Sequence, residues 1–299
     1  MTPRVLVSLF ALTMIGHAQT PAPSIPMVPT DGSAQSAAAD RLGFKLAIHA
    51  YTFRKFSIDE AIQKTAALGI KYMSLSGHLS FDGKTQLKTS DLTDDQIQSI
   101  RRKVAAAGLT LVNIGVMDLP RDEAKSRQVF EVAKKLGVDV IVAEPAPDAL
   151  DTVEKLCKEY NIQVAIHDHP YPNHYWNPDV VLAAIKGRTP LMGACADTGH
   201  WVRSGLDPVE CLKKLAGHVI ALHFKDLNVK GDKAAHDVPW GTGISNVMGQ
   251  LAELQRQGFH GAICFEYEYH WDNSSPELAE SIKFFNAACL KLSPSPGAP

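Results

Sequence analysis

Residues 138–144 read VDVIVAE, and three later runs close in the same way: TPLMGACAD at 189–197, HVIALH at 218–223 and HGAICFE at 260–266. Each run is short and β-like, and each ends on a residue able to ligate a metal: Glu144, Asp197, His223 and Glu266. Parallel strands that deliver their last side chains to one rim are how a (β/α)8 TIM barrel builds a catalytic site. Three carboxylates and one imidazole suit one divalent cation such as Mn²⁺, Mg²⁺ or Co²⁺, with Zn²⁺ a further candidate, better than a thiolate-loving ion. An enzyme is the first expectation.

The rest of the chain extends the same grammar. From residue 43 onward short β-like runs alternate with longer helical patterns, which predicts strands at about 44–50, 71–76, 109–114, 138–144, 163–169, 191–197, 219–225 and 262–268. Ser57-Ile58-Asp59-Glu60 and Thr93-Asp94-Asp95-Gln96 have capping-box spacing, and Asp207-Pro208 sets a cap before a proline suited to a first helical turn. Gly69, Gly108, Gly137 and Gly258 fall where a left-handed residue would end a helix. Eight such units make a single-domain α/β barrel, and 299 residues with 45% hydrophobic content can fill one of about 250 residues.

The flanks and composition bound the function. Arg4, the apolar run from Val5 to Ile15 and the small residues around Ala18 predict an export signal over 1–18, hence a periplasmic or extracellular location. The Pro-, Ala- and Ser-rich segment 19–40 reads as a disordered linker, 41–292 as the barrel and 293–299 as a flexible tail. No 20-residue apolar span follows the signal, so no membrane insertion is expected after its removal. A net charge of −2 offers no broad basic surface, and nucleic acid is not an expected partner. Five cysteines without CxxC spacing predict small buried thiols instead of a disulfide frame.

Strand alternation groups the candidates further. His167 and His169 share a parity and Asp168 has the other; His223 pairs with Lys225, and Glu266 with Glu268. All four tryptophans, Trp176, Trp201, Trp240 and Trp271, follow the last four predicted strands, which puts them on the loop side of the barrel as candidate sugar-stacking surfaces. Trp201 and Trp240 are the two expected to touch substrate. The segment 236–243, HDVPWGTG, is expected to form a loop over the site.

Over about residues 43–290 the chain resembles the xylose-isomerase-like TIM-barrel superfamily of sugar phosphate isomerases and epimerases. The resemblance rests on IHAYTFRKFSIDEA (48–61), LGIKYMSLSG (68–77), VIVAEP (140–145), IHDHP (166–170), ADTGHW (196–201), LHFKD (222–226) and FEYE (265–268). It implies that Glu144, Asp197, His223 and Glu266 are the metal ligands. It further implies enediolate chemistry, in which Glu144 and Glu266 exchange the proton beside a sugar carbonyl. Alternatively both glutamates are pure ligands and a histidine moves the proton, His169 before His167. His200 and Lys225 become candidate substrate contacts, with His167 beside them and His49 and His78 as weaker candidates.

The resemblance leaves three activities to weigh. The leading one is isomerisation or epimerisation of a non-phosphorylated sugar or sugar derivative, because phosphorylated sugars are kept inside the cell. The second is a secreted 3-keto-glycoside lyase or hydrolase working through the same enolate, and the third a metal-bearing carbohydrate-binding protein. The apurinic-site endonucleases of this fold carry three zinc ions. Here LVNIGVMD (111–118) ends without a histidine, and His236-Asp237 stands where that group has Asp-x-His.

Overall fold

A computed structural model describes residues 37–293. Eight parallel strands close into a barrel in sequence order: β1 (Phe44–His49), β2 (Tyr72–Ser76), β3 (Thr110–Leu119), β4 (Val140–Pro145), β5 (Gln163–His167), β6 (Met192–Asp197), β7 (Val219–Phe224) and β8 (Gly261–Phe265). β8 pairs with β1 from Phe44↔Gly261 to Ile48↔Phe265, which closes the ring. Helices follow every strand and cover the outside, so the strands are buried on both faces and read as nearly continuous apolar runs.

Local signals place the helices where the sequence predicts them. Ser57 and Thr93 each form a full capping box, with Glu60 and Gln96 returning the hydrogen bond, and Asp207 caps the helix Pro208–Lys214. Gly137 takes the left-handed conformation (φ 79°) that ends the helix Glu123–Leu136, a geometry a side chain would strain.

Two boundaries differ from expectation. The helix Ala37–Leu42 begins inside the segment read as linker, because Ala38, Ala39 and Leu42 are buried and the helix packs on the closing helix Ser275–Leu292. Small alanines look like linker in sequence, yet they suit a close helix contact. β3 runs five residues further than predicted, to Leu119, where Asp118↔Glu144 and Leu119↔Pro145 pair it with β4. The signal segment 1–18 and residues 294–299 lie outside the described residues. All five cysteines are buried and free, and no described helix is long and apolar enough to cross a membrane.

Candidate metal centre and active site

The C-terminal ends of β4 to β8 converge as the sequence implied. Register sets Asp197 beside His223 across β6 and β7, and Cys264 beside His223 across β7 and β8, so Glu266, two residues on and on the same face as Cys264, reaches the same centre. One ligand atom from each of His167, Asp197, His223 and Glu266 lies within 4.8 Å of the others, and all four residues are buried.

The fourth member of this group is His167, where the sequence pointed to Glu144. Glu144 stands one step outward: its Oε1 accepts the Nδ1 hydrogens of His167 (3.2 Å) and of His169, and its Oε2 accepts from Asn173 Nδ2 (3.1 Å). Glu144, His167 and His169 form a second group of metal-capable residues sharing His167 with the first. The expected ligand set is therefore split over two adjoining clusters. Parity anticipated most of this, since His167 and His169 face one carboxylate while Asp168 turns away to accept the backbone N–H of Asp197 at 2.8 Å.

The donor set fits a cation. Neither nitrogen of buried His223 makes a hydrogen bond, although Nδ1 lies 3.2 Å from Glu266 Oε2, and His167 Nε2 is likewise unpartnered, 3.5 Å from Asp197 Oδ2. Buried polar atoms without partners are rare enough to require a reason, and a shared cation supplies one. Lys225 supplies positive charge meanwhile: fully buried, its ammonium bonds Asp197 Oδ2 and Glu266 Oε2 (2.6 Å) and stands 3.7 Å from Glu268. The two carboxylates that would ligate a cation already hold one side-chain cation between them.

These contacts set the protonation states. Burial pushes the Asp197 carboxyl up, but His200 and Lys225 overcome this and hold it well below the usual range; Lys225 and His223 do the same for Glu266. Burial opposes the charge of Lys225, and Asp197 and Glu266 keep it charged nonetheless. His223 is pushed down to about 4 by burial. For His167, burial is outweighed by the neighbouring carboxylates of Asp197 and Glu144, which raise it to about 10.

Two ring tautomers follow from their partners. A carboxylate only accepts, so Glu144 holds a proton of His169 on Nδ1, and in the neutral tautomer Nε2 of this half-exposed ring is the acceptor. An arginine only donates, so Arg203 Nη1, 3.1 Å from His200 Nδ1, forces the His200 proton onto Nε2. Burial holds His200 neutral. The His169 and His200 rings stack with centroids 4.9 Å apart.

Above this floor lies a chamber of about 150 Å³, walled by His49, Tyr51, Ser76, Gly77, His78, Val116, His167, His169, His200, Glu266 and Glu268. A cavity of about 680 Å³ at the opposite end, around Arg188, His218 and His260, lies at the N-terminal face, where barrel residues serve stability. The tryptophan expectation is corrected here. Trp201 and Trp240 are 1% and 2% exposed, and Trp240 packs against Phe224, Phe265 and Phe285 in the core between barrel and helices. Following a strand did not place them at the mouth, because the next helix folds straight back over the barrel. The aromatic at the chamber is Tyr51, backed edge-on by Trp271 at 5.7 Å.

Several site residues went unread in the sequence or were marked there only weakly. Arg203 lies one helical turn after His200 and ties it to Glu268 Oε2 (2.9 Å) and Asp237 Oδ2 (3.3 Å); the i,i+3 spacing of His200 and Arg203 within TGHWVR (198–203) was the available signal. His49, a weak candidate, has Nδ1 3.0 Å from Glu266 Oε1 and its ring 4.4 Å from that of His223. Asp226, last residue of LHFKD, accepts the backbone N–H groups of Gly241, Gly243 and Ser245, which pins the 236–245 loop. No sequence pattern pointed to Asn173.

Residues 62–288 match the xylose isomerase-like TIM barrel family, and the chain belongs to that family. No curated protein sequence matches it. Among solved structures, an uncharacterised protein from Parabacteroides distasonis ATCC 8503 is 34% identical, with a TM-score of 0.66 over 82% of this chain and 99% of that one. A xylose isomerase-like TIM barrel protein from Mycobacterium smegmatis in complex with magnesium is 16% identical, with a TM-score of 0.68 over 86% and 99%. A D-tagatose 3-epimerase-like protein is 17% identical, with a TM-score of 0.63 over 82% and 99%. The last two share the fold.

Proposed function

We propose that this chain is a divalent-metal-dependent sugar isomerase or epimerase that removes a proton beside a carbonyl to give an enediolate, on a non-phosphorylated sugar or derivative. The observation that carries the reading is the buried group of His167, Asp197, His223 and Glu266, with unpartnered imidazole nitrogens, set beneath a chamber that admits a small polar ligand. Such a cation, held by these residues, would polarise the sugar carbonyl as a Lewis acid.

The chain's own groups account for the proton transfer. His169 is the base: with Glu144 accepting from Nδ1, Nε2 is the ring nitrogen that takes the substrate proton, and the ring borders the chamber. His200 donates from Nε2–H to the oxygen where negative charge develops, because Arg203 fixes its tautomer. Glu144 and Glu266 are too strongly stabilised as carboxylates to be good bases near neutral pH, which favours the histidine over the glutamate pair. Magnesium in the Mycobacterium smegmatis relative and the epimerase-like fold neighbour support the reaction class. The predicted export signal supports a free sugar or glycoside as substrate.

The test is metal content of the purified protein before and after Glu266→Gln, with deuterium uptake from D₂O into free sugars. The proposal expects one divalent ion per chain, its loss in the variant, and exchange into sugar without net cleavage. Wild type that is metal-free and active would sink it.

A further inference from the structure

The chamber does not end at its outer wall. Gly77, His78 and Val116 line both the chamber and a second cleft of about 600 Å³ along β3 and the helix Glu123–Leu136. Glu144, which orients His169, also borders this cleft, so the space reaches the reacting groups. The two spaces meet where residue 77 packs against Val116: a Cβ there would lie 2.1 Å from Val116 O, so only glycine fits at this shared wall. Pockets for organic ligands run about 300–1,000 Å³, so a 150 Å³ chamber suits one small ring, whereas chamber and cleft together suit a longer molecule.

The lining states what that molecule offers. Lys88 and Lys125 are exposed into the cleft, and among the described residues neither ammonium has a side-chain hydrogen bond or ion pair; the same holds for the carboxylate of Asp118. Asp91 and the Gln128 amide add an acceptor and a donor. Two ammoniums against three carboxylates, those of Asp91, Asp118 and Glu144, leave no positive charge to attract a phosphate, but they provide donors and acceptors side by side, as neutral hydroxyls require. Buried Leu119 and Val129 give the cleft an apolar side suited to the C–H face of a sugar ring.

We infer that the substrate is a glycoside of at least two rings, with the ring bearing the carbonyl in the chamber and its neighbour in the β3 cleft. This rests on the reading above that carbonyl chemistry occurs in the chamber. A reaction that breaks the link between the rings would leave the departing ring or aglycone in the cleft, while epimerisation would leave the link intact.

The experiment is isothermal titration of the Mn²⁺-loaded protein with glucose, cellobiose and maltose, repeated on Asp118→Ala and Lys125→Ala, each checked for folding by its melting curve. At least one disaccharide is expected to bind about tenfold or more tightly than glucose, with that advantage lost in both variants. Equal affinity for one and two rings, no binding by any of the three, or an advantage that survives both substitutions overturns the inference. Deuterium uptake into free sugars is scored separately: its absence with the disaccharide preference intact removes the proposed chemistry and leaves the two-ring site standing.

Discussion

Replacing Lys225 by methionine keeps most of the buried stem and removes one charge. That charge lies between Asp197 and Glu266, with Glu268 at 3.7 Å, and the lysine has no exposed surface. Removing one partner of a buried ionic group costs about 3–5 kcal/mol, because the remaining carboxylates are left uncompensated. In a domain of this size each kcal/mol moves the melting temperature by about 2–4 °C, so chelator-treated Lys225→Met should melt about 6–20 °C below wild type. A divalent cation held by Asp197, His223 and Glu266 would replace the missing charge. Added Mn²⁺ at about a hundred times its Kd stabilises wild type by about 2.7 kcal/mol through binding alone. The variant should gain more, since the ion there also relieves the repulsion. Differential scanning calorimetry with and without chelator, alongside metal analysis, reads both effects. Reasoning from the carboxylate pair is refuted if the chelated variant melts with wild type, or if Mn²⁺ lifts both proteins equally.

Two further predictions concern the supports of the site. Asp226→Ala strips the acceptor from the backbone N–H groups of Gly241, Gly243 and Ser245; at about 1–3 kcal/mol for each unsatisfied donor, a loss of about 3–9 kcal/mol is expected. Hydrogen exchange at 241–245 should accelerate in step, and unchanged protection there would show that the loop is held by something else. The metal-free protein should also lose stability in acid through His223, whose native value of about 4 lies below its ordinary 6.5. The unfolded chain takes up that proton first, so stability present above pH 6.5 is lost as pH falls toward 4, by about 3 kcal/mol. Urea unfolding of His223→Gln across this range should give a flatter profile, and a slope equal to wild type counts against a buried neutral imidazole.

The sequence by itself determined the barrel and most of its rim. Alternating runs, capping boxes at Ser57 and Thr93 and glycines at helix ends are local signals, and each acts over a few residues through backbone hydrogen bonding and allowed dihedrals. Asp197, His223 and Glu266 were legible for the same reason, since a parallel barrel sends the ends of its strands to one face. Parity even told His167 and His169 from Asp168. What only the tertiary structure decided is how these side chains divide a shared space. That Glu144 joins His167 and His169, that Lys225 lies between Asp197 and Glu266, and that Arg203 fixes His200 all depend on distances between chain segments 3 to 65 residues apart. Trp201 and Trp240 went to the core, although their sequence positions suited the mouth, because burial of a large apolar side chain depends on which helix packs above it. The cleft beside the chamber belongs to the same class: it exists between β3 and the helix Glu123–Leu136, and no single run of sequence encodes a space between two elements.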